Sequence, residues 1–183
     1  MTSLHLPSLS LLPPAATRTP AWLLLLVLLA LACYLGARIG IALPHLGTEI
    51  SLIWPPTGIA LAALVRWGPG VWPGIWAGAF AIALWSGLPL WVALALASGN
   101  TAGPTIAALF LRQLGLHPAL DRRQDLLQWV AIGVGAGMLV AATNSVFWLA
   151  VAGLLPSENL LQSWLYRWMG DARSVCWWWV CRC

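Results

Sequence analysis

Charge is what this chain lacks most. Only 8% of its 183 residues are Asp, Glu, Lys or Arg, against about 25% in an ordinary soluble domain, so it cannot cover a water-facing surface as one globule. Lysine is absent, and the net charge of +4 rests on nine arginines against five acidic residues. Those arginines are scattered, which excludes a nucleic-acid patch. The three histidines, His5, His45 and His117, have no ligand partner three or four residues away, so no metal site is expected. No Ser or Cys stands in a recognisable nucleophile motif. No repeat relates two halves, which argues against an inverted-repeat transporter. Neither an enzyme nor a cofactor is expected. Disorder is excluded too, because 61% of the residues are hydrophobic and a disordered chain needs the opposite balance.

What is present is a series of long apolar runs. A polytopic, all-α integral membrane bundle of about five to six transmembrane helices follows, each span needing about 20 residues. Residues 1–20, rich in Pro, Ser and Thr with one charge at Arg18, read as a flexible cytoplasmic tail. The first span runs from Ala21 to Leu43. Ala30-Leu31-Ala32-Cys33 faintly resembles a lipoprotein cleavage site, but the apolar run continues past it, too far for a signal peptide. Further spans are expected at about Gly47–Arg66, Gly70–Gly87, Leu90–Leu111 and Leu126–Leu155, with a sixth from near Trp164. The fifth exceeds the bilayer requirement, so it tilts, kinks near its glycines or protrudes.

Arg18, Arg66 and the group Arg112, Arg122 and Arg123 fall on one side of this layout, and Glu49 and Glu158 on the other. The positive-inside rule then places the N-terminus in the cytoplasm. Gly70, Gly74 and Gly78 recur every four residues, as do Gly133 and Gly137, a spacing that lets helix backbones approach closely in lipid. Packing within one bundle is the plainer reading, and a homodimer interface the other. Asn100 and Asn144 lie mid-span, where interhelical hydrogen bonding is the default.

Charges inside spans are costly and functional by default. Arg38 sits about 8 Å below the outer face at 1.5 Å per residue. Trp54-Pro55-Pro56 enters from the same side, and two prolines cannot continue an arriving helix. The second span breaks there, and a new helix can start at Pro55 or Pro56. Asp171 reaches a similar depth in the sixth span. Arg38, Trp54, Pro55, Pro56 and Asp171 are thus expected around an outward cavity for an unidentified small molecule. The plainer alternatives are that Arg38 and Asp171 pair, or that Arg38 snorkels to the headgroups.

The last eleven residues differ from the rest. Three of four cysteines and three of fourteen tryptophans crowd into Arg173–Cys183, and Arg167, Asp171 and Arg173 make the sixth span a poor insertion candidate. Taking each codon from the third base of the printed one turns Cys176-Trp177-Trp178-Trp179-Val180 into Leu-Val-Val-Gly, which restores a membrane helix. A one-base frame change near Ala172 is therefore expected, with residues 173–183 an out-of-frame tail. A genuine tail could bind metal or carry lipid, but its cysteine spacing matches no strong metal motif.

Several segments carry a family resemblance. These are Trp54-Pro55-Pro56-Thr57-Gly58-Ile59-Ala60-Leu61-Ala62, Trp72-Pro73-Gly74-Ile75-Trp76-Ala77-Gly78-Ala79-Phe80, Gly99-Asn100-Thr101, Arg122–Leu127 and Trp164–Ala172 with its Trp-Met-Gly-Asp. In order and spacing they resemble the first-described class of membrane-associated sensor (MASE) domains of bacterial signalling proteins, over Ala21 to Ala172. Arg167 stands where that family usually has a second Trp. The resemblance implies a multi-pass inner-membrane sensory domain of about eight spans, placed before a diguanylate cyclase, phosphodiesterase, histidine kinase or PAS module. It favours Trp54, Pro55, Pro56, Asn100, Gly170 and Asp171 as site residues. The chain departs from that plan by carrying neither the last spans nor an output domain. A sensory input fragment in the lipid bilayer is the leading expectation. A stand-alone substrate-binding or transport subunit is the alternative, and a decayed remnant a third.

Overall fold

The computed structural model describes residues 19–42, 54–117 and 122–180. The expected tail therefore lies almost wholly outside the described residues, as does the stretch before Trp54. Among those described, helices are the only regular structure. This follows from the composition, since an apolar solvent leaves the backbone no partners but its own.

Six helices form: α1 (Pro20–Ala42), α2 (Pro55–Trp67), α3 (Trp72–Trp85), α4 (Leu90–Gln113), α5 (Arg123–Val151) and α6 (Leu160–Val180). Their ends follow local chemistry. Thr19 caps α1, its carbonyl accepting the Trp22 N–H at 2.9 Å, with Pro20 at the first helical position, where a missing N–H costs nothing. The second helix starts at Pro55 with both prolines in its first turn, so the break expected at Pro55-Pro56 is a helix start. It stops at Gly68, whose φ of +92° suits glycine and few other residues. Gly70 lies in the 3-10 turn Pro69–Val71 and not on α3, which corrects its place in the Gly70-Gly74-Gly78 row; Pro69 and Pro73 divide the segment there. Trp129–Gly137 within α5 winds as a π-helix, and this wider turn takes up part of the excess length read from the sequence.

α1 packs on α3, α3 on α4, α4 on α5 and α5 on α6, while α2 touches α1, α4 and α6. The core gathers Leu61 and Leu64 of α2, Leu111 of α4, Met138 of α5 and Val175 of α6, all fully buried. Outward, α1 presents Leu23, Leu24, Val27, Leu28, Leu31, Leu35 and Ile39, an apolar face suited to lipid.

Three helices, α1, α4 and α5, are long and apolar enough to cross a membrane. The others fall short for separate reasons. α2 and α3 have 13 and 14 residues, spanning roughly 20 Å of a core about 30 Å thick. α6 has the length, at 21 residues, but carries Arg167, Asp171 and Arg173. The chain is a helical membrane bundle.

Glycines set the closest crossings. A methyl on Gly74 would lie 2.7 Å from the Leu26 carbonyl oxygen, and one on Gly78 would lie 2.6 Å from that of Ala30, both on α1. On α5, a methyl on Gly137 would meet Ala107 of α4 at 2.5 Å, and one on Gly133 would meet Leu61 of α2 at 3.1 Å. Asn144 donates its amide to the Ala95 carbonyl at 3.0 Å, joining α5 to α4 across Gly99.

Candidate functional site

The sixth helix carries Arg167, Asp171 and Ser174 in one stripe at helical spacing. Opposite that stripe is the start of α2. Asp171 is wholly buried, and its Oδ1 accepts the Thr57 hydroxyl at 2.6 Å. The Trp54 N–H, which no carbonyl of its own helix can take, donates to Ser174 Oγ at 2.9 Å and to the Gly170 carbonyl at 3.3 Å. Ser174 in turn donates to that carbonyl at 2.9 Å. The approach is close because Gly58 has no side chain: a methyl there would overlap the Ser174 carbonyl. Gly170, Asp171 and Ser174 thus hold the broken end of the second span.

Arg167 lies at the centre of the cluster. Its Nη2 donates to Asn100 Oδ1 at 3.1 Å, its guanidinium carbon sits 4.6 Å from the Trp54 ring centroid, and its Nε is 3.6 Å from Asp171 Oδ2. That last separation is an ion pair but too long for a hydrogen bond. Neither atom has another hydrogen-bond partner among the described residues. Burial of the carboxylate is tolerable only because a cation and a hydroxyl face it. Asn100 also accepts from Ser145 Oγ at 3.3 Å, so one amide oxygen ties α4 to α5 and α6. Pro104, inside α4, withholds the N–H that would normally bond the Asn100 carbonyl.

Beside this cluster lies a cavity of about 20 Å³ between α1, α2, α3 and α4, with Trp54, Pro56, Thr57 and Asn100 on its polar side and Cys33, Ile75 and Ile82 on its apolar side. That is room for roughly one water.

The arrangement brings together Trp54, Pro55, Pro56, Asn100, Gly170 and Asp171 from the residues singled out in the sequence. It does not bring Arg38. That side chain is exposed, donates to the Tyr34 hydroxyl at 3.2 Å and stacks 3.7 Å from the Trp85 ring centroid. The expected Arg38–Asp171 pair is therefore replaced by Arg167–Asp171, one turn apart on one helix. The sequence reading set Arg38 and Asp171 at one depth, but the two side chains have separate partners. Thr57, Arg167 and Ser174 are the members that sequence reading missed; the i, i+4 spacing of Arg167 and Asp171 was the available signal.

Helix α6 continues to Val180, with Ser174 and Val175 buried. The Val175 carbonyl accepts the Trp129 indole N–H at 3.3 Å, which fastens α6 to the π-helical segment.

Comparison with known proteins gives one finding. No curated protein and no solved structure matches the chain. The family model described as MASE1, however, matches residues 25–175, a range that takes in every residue of the cluster. The chain belongs to the MASE1 family of membrane-associated sensor domains found in signalling proteins.

Proposed function

We propose that this chain is the sensory input part of a bacterial inner-membrane signalling protein, with its N-terminus in the cytoplasm. Its sensing element is the cluster of Trp54, Thr57, Asn100, Arg167 and Asp171. The observation that carries the proposal is the position of Arg167, which touches groups on α2, α4 and its own helix. A guanidinium divided among several partners can favour one of them at little cost, and each choice suits a slightly different seating of α6 on α2. A small molecule or membrane state that prefers one seating would shift the population of the two. α6 would carry that shift to a cytoplasmic output module, and no catalysis is assigned to this chain. The arginine distribution supports the orientation, and six crossings would return α6 to the cytoplasmic side. The alternative of a substrate-capture subunit draws less support, because the cavity beside the cluster has room for about one water.

The test fuses the full chain to a cytoplasmic signalling enzyme of measurable output. Arg167→Gln is expected to change basal output several-fold at equal membrane abundance. Unchanged output at equal abundance would count against the cluster as the sensing element. Cysteine labelling at the N-terminus from either side of the membrane tests the orientation.

A further inference from the structure

Arg38 takes no part in the cluster, and its surroundings have a chemistry of their own. It is exposed on α1 beside Leu31, Leu35 and Ile39, which are 50%, 56% and 58% exposed, so it shares the face that meets lipid. It lies five residues before Leu43, the outer end of the first span as read from the sequence, or about 8 Å along the axis, a depth from which an arginine side chain reaches the headgroup layer. The side chain is held in place. One nitrogen donates to the Tyr34 hydroxyl at 3.2 Å, and one face stacks on Trp85 at 3.7 Å. Trp85 is itself half-exposed at the end of α3. Tyr and Trp favour this interfacial layer. No acidic side chain pairs with Arg38 among the described residues.

A guanidinium held flat by two aromatic side chains keeps its remaining N–H groups in a fixed plane, suited to two oxygens of one anion. At that depth, on a lipid face, the anion at hand is the phosphate of a phospholipid. A zwitterionic lipid brings its own ammonium group to compete, whereas an anionic phospholipid does not. We infer that Arg38, Tyr34 and Trp85 form a headgroup site for the phosphate of an anionic phospholipid, bridging α1 and α3.

The experiment is native mass spectrometry of the full chain in detergent, titrated with phosphatidylglycerol or phosphatidylcholine. The expected result is preferential retention of phosphatidylglycerol, falling roughly ten-fold in affinity in Arg38→Gln, the loss anticipated for one charge-assisted contact. Arg38→Lys should recover part of it, Trp85→Leu should weaken it several-fold, and Arg66→Gln, at the far end of α2, should leave it unchanged. Equal retention of phosphatidylglycerol by Arg38→Gln would overturn the inference. So would displacement of the lipid by inorganic phosphate or glycerol phosphate, which would mark a free-anion site. If Arg38→Gln does not accumulate, the Trp85→Leu and Arg38→Lys chains decide: full retention in Trp85→Leu overturns the site, and graded loss in both sustains it. The result is independent of the sensory reading, because it turns on lipid retention and not on signalling output.

Discussion

Removing Arg167 tests whether the cluster is held by charge or by packing. In Arg167→Gln, Asp171 stays wholly buried with one hydroxyl donor, Thr57 at 2.6 Å, and no cation. Breaking one side of a buried ion pair costs about 3–5 kcal/mol. The 3.6 Å separation of Nε and Oδ2 places this pair at the lower end, near 3 kcal/mol. Asp171→Asn is gentler. The amide still accepts from Thr57, and Arg167 keeps Asn100, the Trp54 ring and partial exposure of its side chain at 17%, so about 1–2 kcal/mol is expected. The double variant removes both charges, and its loss should fall short of the sum by about 1–3 kcal/mol, the coupling of residues in direct contact. Neutral interhelical hydrogen bonds in membranes average only about 0.6 kcal/mol, so a coupling above 1 kcal/mol separates an ion pair from ordinary polar packing. The measurement is unfolding of the full chain in mixed micelles by increasing SDS fraction, for the four chains of the cycle. Losses additive within about 0.5 kcal/mol, or Arg167→Gln no worse than Asp171→Asn, would refute the pairing.

Glycine substitutions should divide by what stands opposite each. Gly78→Ala meets the Ala30 backbone at 2.6 Å and should cost about 1–3 kcal/mol, while Gly135→Ala, whose nearest neighbour lies 3.7 Å away, should be neutral or gain up to about 1 kcal/mol in helix propensity; equal melting shifts for the two would contradict the crossing geometry. Gly99→Ala drives its methyl into the Asn144 amide and should break the bond to Ala95, with Asn144→Ala restoring much of the loss; a double variant no more stable than Gly99→Ala alone would show the strain lies elsewhere.

The helix start at Pro55 was legible because proline allows few places for a break. The excess length of the fifth span was legible by counting, but the π-helical turn that takes up part of it was not, since Gly133, Gly135 and Gly137 permit several distortions. Depth could be read from the sequence by counting rises of 1.5 Å, and it brought Trp54 and Asp171 to one level. Direction could not, because it depends on which helices are neighbours. Arg38 and Arg167 were both available to Asp171, and only the packing of α6 against α2, with α1 facing α3, decides for Arg167. Thr57 and Ser174 carry no signal of their own. They matter because the Trp54 N–H and the Asp171 carboxylate need partners where water is excluded.

The same reasoning explains why α6 looks unfit for a membrane. Insertion scales charge about 2.5–3.5 kcal/mol for an ionised residue at a helix centre facing lipid. Here Asp171 and Ser174 are buried and the Arg167 side chain is half-buried, against α2 and α4, while Leu161, Leu165, Met169 and Arg173 are exposed. Two of its three charges therefore face inward and only Arg173 faces out, so a scale that averages around the helix overstates the cost. Its seating must then depend on α2. Thr57→Val deletes one bond to a charged group, worth about 1.5–3 kcal/mol, or roughly a ten- to hundred-fold change in the ratio of seated to unseated α6. Ser174→Cys, buried when α6 is seated, should resist a water-soluble maleimide in membranes of a chain whose four native cysteines are replaced by Ala, and react more readily once Thr57→Val is added. Equal labelling with and without Thr57→Val would mean that the Thr57–Asp171 bond does not seat α6 on the second span.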